Sequence, residues 1–129
     1  QLKKINSSNI SNIKDDILSK TNIINQIRFI AKKVDLDMQS MKDISFSLRK
    51  EKSLFLLLAS KVGNKVILSL LISEDLISKK GLNASVIIKD ISREINGGGG
   101  GQPFFATAGG DNDNGIQNAF LKAREYLKK

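Results

Sequence analysis

The 129-residue chain contains neither cysteine nor histidine. Without these residues it cannot build a Ser-His or Cys-His nucleophile, a usual zinc hydrolysis site or a disulfide framework. Its 13 acidic residues are scattered. Adjacent pairs such as Asp15-Asp16 and Glu74-Asp75 stand where helix caps and first turns favour negative charge. We therefore expect no catalytic residue and no metal site in this chain.

Long hydrophobic segments are also absent. The longest apolar runs, residues 54–59 and 66–72, are far too short to span a bilayer but have the length of buried strands. We expect no signal peptide, and the lack of cysteine agrees with a reducing compartment. Because it begins at Gln1 rather than Met, with Lys3 and Lys4 close behind, we expect one cytoplasmic domain cut from a longer protein, without a membrane partner.

What the chain has in excess is positive charge. Its 21 Lys and Arg residues against 13 Asp and Glu residues give a net charge of +8, which makes a polyanion the natural partner. The excess lies toward the two ends of the chain, at Lys3, Lys4, Lys14, Lys20, Arg28, Lys32 and Lys33, and again at Lys122, Arg124, Lys128 and Lys129. A Lys-rich surface that only keeps the protein in solution is the alternative interpretation.

The hydrophobic pattern predicts an α/β fold, in which a small mixed β-sheet is flanked by helices and preceded by an N-terminal helical arm. Residues 2–20 have weak helical spacing that would need a packed partner. Residues 27–34 predict a strand, and Asp37 can cap the helix that follows, an order typical of a crossover unit. Residues 54–60 and 66–72 predict a hairpin.

A glycine run follows the clearest helix of the chain. Residues 84–95 form an amphipathic pattern that ends at Asn96, and five consecutive glycines, residues 97–101, come next. Phosphate-binding glycine loops instead follow a strand and open a helix, and no Gly-Lys-Ser/Thr is present, so a nucleotide loop is a poor interpretation. A last amphipathic helix is expected to begin near Asp113 or Asn114.

The stretch GGGGGQPFFATAGG, residues 97–110, resembles the glycine-rich signature near the C-terminus of alanyl-tRNA synthetases. Flanking segments such as GNKVILSLLISEDL and GIQNAFLKAREYL look like the DHH-associated domain that ends these enzymes. On this resemblance, residues 25–129 are the globular DHH-associated domain with its glycine-rich motif. Residues 1–24 are then the end of a helical subdomain that can serve dimerisation.

The resemblance implies a C-terminal module that binds the elbow of tRNA for alanine and links aminoacylation with editing, without catalysing either. Its implied partners are that tRNA, the remaining domains of the synthetase, and a second copy of the chain through the N-terminal arm. The full-length enzyme would use ATP, magnesium and zinc elsewhere, and no cofactor is expected in this part.

Two alternatives remain open. A structural dimerisation module of the synthetase would depend on the N-terminal arm, and its basic surface would be incidental. An accessory substrate-binding domain of a DHH-type phosphoesterase is the second, because those enzymes share the domain. They typically carry Gly-Gly-His, however, whereas Gln102 and Pro103 follow the glycines here.

The candidate RNA-binding residues are Gly98, Gly99, Gly100, Gly101, Gln102, Phe104, Phe105, Lys122, Arg124 and Lys128. In a functional interpretation the glycines expose backbone N–H groups to RNA phosphate or sugar, and a phenylalanine ring stacks on an unpaired base. The last helix and the first strand region then supply cations for phosphate contacts. In a structural interpretation the glycines let the chain pass close beneath strand edges, and both phenylalanines fill the core.

Overall fold

The computed structural model describes residues 22–24, 26–48 and 50–127. Over these residues the chain forms a mixed six-stranded sheet with helices on both faces, which confirms the expected α/β fold class. The strands are β1 (Asn22–Ile24), β2 (Ile27–Val34), β3 (Leu54–Val62), β4 (Lys65–Ile72), β5 (Gly98–Gly101) and β6 (Phe105–Gly110). The helices are α1 (Met38–Ser47), α2 (Glu74–Lys80), α3 (Ala84–Ile91) and α4 (Ile116–Leu127), with 3₁₀ turns at Ser92–Ile95 and Asp113–Gly115.

The strands lie in the order β1-β2-β3-β4-β6-β5. The helix α1 connects β2 to β3, and these two strands run parallel, so the expected crossover unit is confirmed. The expected hairpin is formed by β3 and β4, in which Leu57 lies opposite Leu70. Next, β6 pairs with β4 and β5 pairs with β6, both antiparallel. Among the described residues, β5 is therefore the last strand on that side.

The core lies on both faces of the sheet's centre. Every residue from Leu54 to Ser60 in β3 is buried, as expected for a central strand covered on both sides. Alternate side chains of a strand point to opposite faces. Leu57 and Leu70 accordingly lie in the cluster that includes α3 and α4, whereas Leu56 lies in the cluster that includes α1.

Polar side chains mark the helix ends. The Asp37 carboxylate accepts a hydrogen bond of 2.8 Å from the Ser40 N–H, which confirms the predicted cap of α1. The Asn83 side chain accepts from the first turn of α3 in the same way. Asn96 ends the 3₁₀ turn after α3 in the left-handed conformation, with φ of 57°. The predicted end of this helical segment is therefore also confirmed.

The glycine segment differs from the prediction. It is a strand, Gly98–Gly101, rather than a loop, and a second strand, Phe105–Gly110, follows after a short turn. Sequence patterns identify a strand from alternating or β-branched side chains. A run of glycines carries no such signal, so the sequence did not reveal this pair of strands.

The sheet begins close to the predicted start of the globular part. The strand Asn22–Ile24 pairs with β2, so the sheet begins three residues before the boundary expected at residue 25. Residues 1–21, where the helical arm and its dimer contact were predicted, lie outside the described residues.

Candidate nucleic-acid interface

We refer to the β5 strand, Gly98–Gly101, as the glycine edge. It pairs with β6 on one side, and within the described residues no strand follows it on the other. Gly98, Gly99 and Gly101 are exposed. The edge of a sheet presents a row of backbone N–H and C=O groups. Here those groups are accessible without any intervening side chain.

Hydrogen bonds at the two ends of the glycine edge indicate which amides face outward. The Gln102 N–H donates to a carbonyl of β6 at 2.8 Å, whereas the Gly97 N–H donates away from β6, to a carbonyl of the 3₁₀ turn, at 3.0 Å. Successive residues of an antiparallel pair alternate between these two directions. The N–H groups of Gly99 and Gly101 therefore face away from β6, where a phosphate or sugar oxygen could accept from them.

Close packing against β6 explains part of the glycine content. A Cβ on Gly99 would lie 2.0 Å from the carbonyl oxygen of Thr107, and one on Gly97 would lie 1.9 Å from that of Gly109. A Cβ on Gly101 would lie 2.6 Å from the nearest carbonyl oxygen of β6. Separations this short exclude a side chain at all three positions. The structural interpretation therefore accounts for these glycines.

Packing does not account for the other two glycines. A Cβ on Gly98 would meet no atom of the described residues within 4 Å. A Cβ on Gly100 would be 3.4 Å from Lys89 Cε and 3.8 Å from Ser85 Oγ, both of which belong to side chains. Glycine weakens a strand because it has no side chain to pack and a large conformational entropy. Packing within the described residues therefore does not explain why Gly98 and Gly100 are glycine.

The turn after the glycine edge holds three further candidate residues. The Gln102 side chain is exposed. Phe104 is half-buried and packs against the cluster under α1. Phe105 is 7% exposed, and its ring meets Phe46 edge-to-face with centroids 4.9 Å apart. Phe105 is therefore a core residue with too little exposed ring to stack on a base, which corrects its candidate role.

Lys122 makes contacts within the protein. Its Nζ lies 3.3 Å from Asp90 Oδ1 and 3.3 Å from Glu94 Oε2, so it ties α4 to α3 and to the 3₁₀ turn that follows. From the same helix, the Tyr126 hydroxyl donates to Asp90 at 2.6 Å. The hydrogen bond from Tyr126, assisted by Lys122, lowers the pKa of Asp90, and the two carboxylates raise the pKa of Lys122. Two carboxylates therefore already offset the charge of Lys122.

Those of the remaining predicted cations that the structure describes lie away from the glycine edge. Arg124 is exposed on α4, and Lys128 lies outside the described residues. Because α4 packs against α3 and α3 packs against β5, α3 stands between α4 and the glycine edge. The predicted cations of the first strand region are on β2, four strand positions and about 19 Å from β5. On that strand, Arg28 is paired with Glu51 at 3.0 Å.

Lys89 is the cation beside the glycine edge that the sequence did not single out. It is exposed on α3, and its Cε lies next to Gly100. The sequence nevertheless contained a usable signal. Because the glycine run follows α3 after a short turn, a returning strand has to run beside that helix. The polar residues of α3 are therefore the expected source of charge beside the glycines.

Two kinds of feature are absent from the part of the chain that the structure describes. It contains no group of three or more His, Cys, Asp or Glu side chains that could hold a metal ion. None of its helices is long and apolar enough to cross a bilayer.

Known proteins are similar to this chain in sequence and in fold. The family described as the DHHA1 domain matches residues 23–129. The chain belongs to this family. This DHHA1 domain is 40% identical over 129 residues both to the alanine–tRNA ligase of Christiangramia forsetii and to that of Flavobacterium psychrophilum. Each match covers 99% of the chain but only 15% and 14% of the respective ligase, so the chain spans about a seventh of these relatives.

A solved structure has the same fold. The DHHA1 domain matches the crystal structure of the C-Ala domain from Aquifex aeolicus alanyl-tRNA synthetase with a TM-score of 0.79. The match covers 85% of this chain and 99% of that one, at 21% sequence identity, so it concerns the fold alone. With the family and the two ligases, it confirms the resemblance to the C-terminal domain of alanyl-tRNA synthetases.

Proposed function

We propose that this DHHA1 domain is a tRNA-binding module of an alanine–tRNA ligase, which receives the elbow of tRNA for alanine at the glycine edge. The module performs no chemical step. It holds the tRNA while aminoacylation and editing take place in other domains, and in this way links the two reactions.

The observation that carries the proposal is the presence of an exposed glycine at position 98. This residue is exposed at the outer edge of the sheet and is glycine, although the described residues leave space for a side chain. A backbone without side chains can approach an RNA strand closely, and its N–H groups can donate to phosphate or sugar oxygens. A binding role thus explains a glycine that packing leaves unexplained.

The charge of the chain and the names of its relatives support the choice of tRNA. The net charge of +8 favours a polyanion. The relatives at 40% identity are named alanine–tRNA ligases, and the tRNA in that name is a polyanion. The remaining domains of the ligase would be further partners. We expect ATP, magnesium and zinc to be used there, in a cytoplasmic enzyme.

The proposal is tested by titrating tRNA for alanine onto the chain at about 50 and 200 mM salt. If about three phosphates are neutralised, affinity should fall roughly 20- to 40-fold between the two concentrations. A minihelix of the acceptor and T stems, which has no elbow, is the matched control RNA and should bind more weakly than the complete tRNA.

The possible outcomes separate the parts of the proposal. No binding at low salt, or binding that salt does not weaken, would contradict the RNA-binding function. Equal affinity for the minihelix and the complete tRNA would contradict docking at the elbow. Dimerisation through the N-terminal arm is a separate prediction, and sedimentation of the chain with and without residues 1–22 tests it.

A further inference from the structure

The helix α3 and the glycine edge run side by side in opposite directions. At the start of α3, the Ala84 N–H donates to the Pro103 carbonyl, beyond the C-terminal end of β5, at 2.8 Å. One turn apart on the helix, Ser85 and Lys89 both lie beside Gly100. Lys89 is exposed, so its hydrocarbon stem lies along the bare strand while its ammonium group reaches solvent.

Arg93 follows α3 in the 3₁₀ turn Ser92–Ile95. It is exposed and lies four residues after Lys89, about 6 to 7 Å further along the helical axis. Like charges at this spacing weaken a helix slightly, so local helix stability gives no reason for the pair. The spacing of the two residues along the helical axis is comparable with the distance between neighbouring phosphates of a nucleic-acid strand. A phosphodiester backbone is therefore a ligand that both side chains could contact together.

The acidic groups around α3 leave this pair positive. Asp90 and Glu94 face α4, where Lys122 binds both carboxylates. Arg93 has a Coulombic interaction with Asp90, weaker than the hydrogen bonds that α4 donates to it. Asp111 follows β6 at the Gly98 end of the glycine edge, and its N–H donates at 2.9 Å to Ile95, in the 3₁₀ turn that carries Arg93. The positive charge nearest Gly100 is therefore that of Lys89.

We propose that Lys89 and Arg93, with the outward N–H groups of Gly99 and Gly101, form a track that binds consecutive phosphates of the RNA backbone. The Ser85 hydroxyl adds a hydrogen-bond donor beside Gly100. This track rests on the proposed RNA-binding function and specifies its site, because α3 and the 3₁₀ turn after it supply the cations in place of α4.

The track is tested with the variants Lys89→Gln, Arg93→Gln and the double variant, each titrated with tRNA for alanine at the two salt concentrations used for the unaltered chain. The matched control is Lys42→Gln, which removes the same charge from α1 on the opposite face of the sheet. Arg124→Gln removes an exposed charge from α4. Circular dichroism and thermal unfolding establish that every variant is folded.

We expect the single changes at Lys89 and Arg93 each to weaken binding about threefold to tenfold, and the double change to make the log-log salt slope shallower by about two. Lys42→Gln and Arg124→Gln should change affinity less than about twofold, since neither residue lies on the track.

Three results would overturn the track, and they are distinguishable. If the unaltered chain does not bind tRNA, the proposed function fails and the track fails with it. If the unaltered chain binds but Lys89→Gln and Lys42→Gln lose affinity equally, the track alone is wrong. A larger loss for Arg124→Gln than for the double variant would place the cations on α4, as the sequence first indicated.

Discussion

The centre of the sheet and the glycine edge are built in opposite ways. Along β3 and β4, side chains on both faces are buried, and those of Leu56 and Leu57 are fully enclosed. Along β5 no side chain contributes at all. Burying a leucine contributes roughly 1.5 to 3 kcal/mol, whereas a glycine within a strand costs about 0.5 to 1 kcal/mol relative to alanine. The stability of the domain therefore comes from its centre, which leaves the edge available for a ligand.

The glycine run, residues 97–101, is itself divided into two groups. Gly97, Gly99 and Gly101 are glycine because β6 lies too close for a side chain. Gly98 and Gly100 are glycine although side-chain atoms could be placed there. Substitutions that separate the two groups therefore separate the structural from the functional interpretation.

The largest effect on stability should come from the centre of the sheet. Leu57→Ala removes a fully buried side chain from the cluster under α3 and α4 and should lower the free energy of unfolding by about 2 to 5 kcal/mol. Val62→Ala, on the same strand but 47% exposed, is the matched control and should change it by less than about 0.5 kcal/mol. Urea unfolding measures both. Equal losses would contradict the view that the centre holds the fold.

A smaller but clear loss should come from the packed half of the glycine edge. In Gly99→Ala the new methyl would lie 2.0 Å from the Thr107 carbonyl oxygen, so β5 must move away from β6. We expect a loss of about 1 to 3 kcal/mol in the free energy of unfolding, measured by urea unfolding. A variant as stable as the unaltered chain would show that β5 does not lie this close to β6.

A still smaller effect should come from the contact between α3 and α4, outside both regions. Tyr126→Phe removes the 2.6 Å hydrogen bond to Asp90 and should cost about 1 kcal/mol near neutral pH. Thermal unfolding at pH 7 measures it. Because this contact lies away from the glycine edge, tRNA affinity should remain unchanged, and a loss of affinity in a stable variant would argue for a role of α4.

The same tyrosine should give the domain a dependence on alkaline pH. Burial, together with the hydrogen bond to Asp90, raises the pKa of Tyr126 to about 12. Between the ordinary value of 10.0 and about 12, the unfolded chain has lost this proton while the folded chain keeps it, so stability falls as pH rises. Tyr126→Phe should make this decline shallower, as measured by urea unfolding across that range. An identical decline in both proteins would contradict the raised pKa.

The sequence predicted the parts of the fold that depend on burial. Residues 27–34 and 54–60 carry the apolar patterns of covered strands, and both are strands in the structure. The Asp37 cap was predictable because its hydrogen bond is local. The glycine edge was not predictable, because without side chains its strand pairing depends entirely on the neighbouring β6.

The candidate site was predicted only in outline. The sequence indicated the glycines, but it could not show that the Phe105 ring lies in the core, since that depends on a helix distant in sequence. The charge of Lys122 makes it a candidate, yet packing of α4 against α3 pairs it with Asp90 and Glu94. The local pattern does not indicate Lys89, because its closeness to Gly100 follows from the return of β5 beside α3. Each of these differences comes from tertiary contacts that the local pattern does not contain.

The most direct test of the central claim is the affinity of Gly98→Ala for tRNA, measured beside its free energy of unfolding. The added methyl meets no atom of the described residues within 4 Å, so stability should stay the same or rise by about 0.4 to 1 kcal/mol. If the bare backbone is kept for RNA, affinity for tRNA should fall by about threefold or more in this stable variant. Unchanged affinity would contradict the account and leave Gly98 without a role in binding.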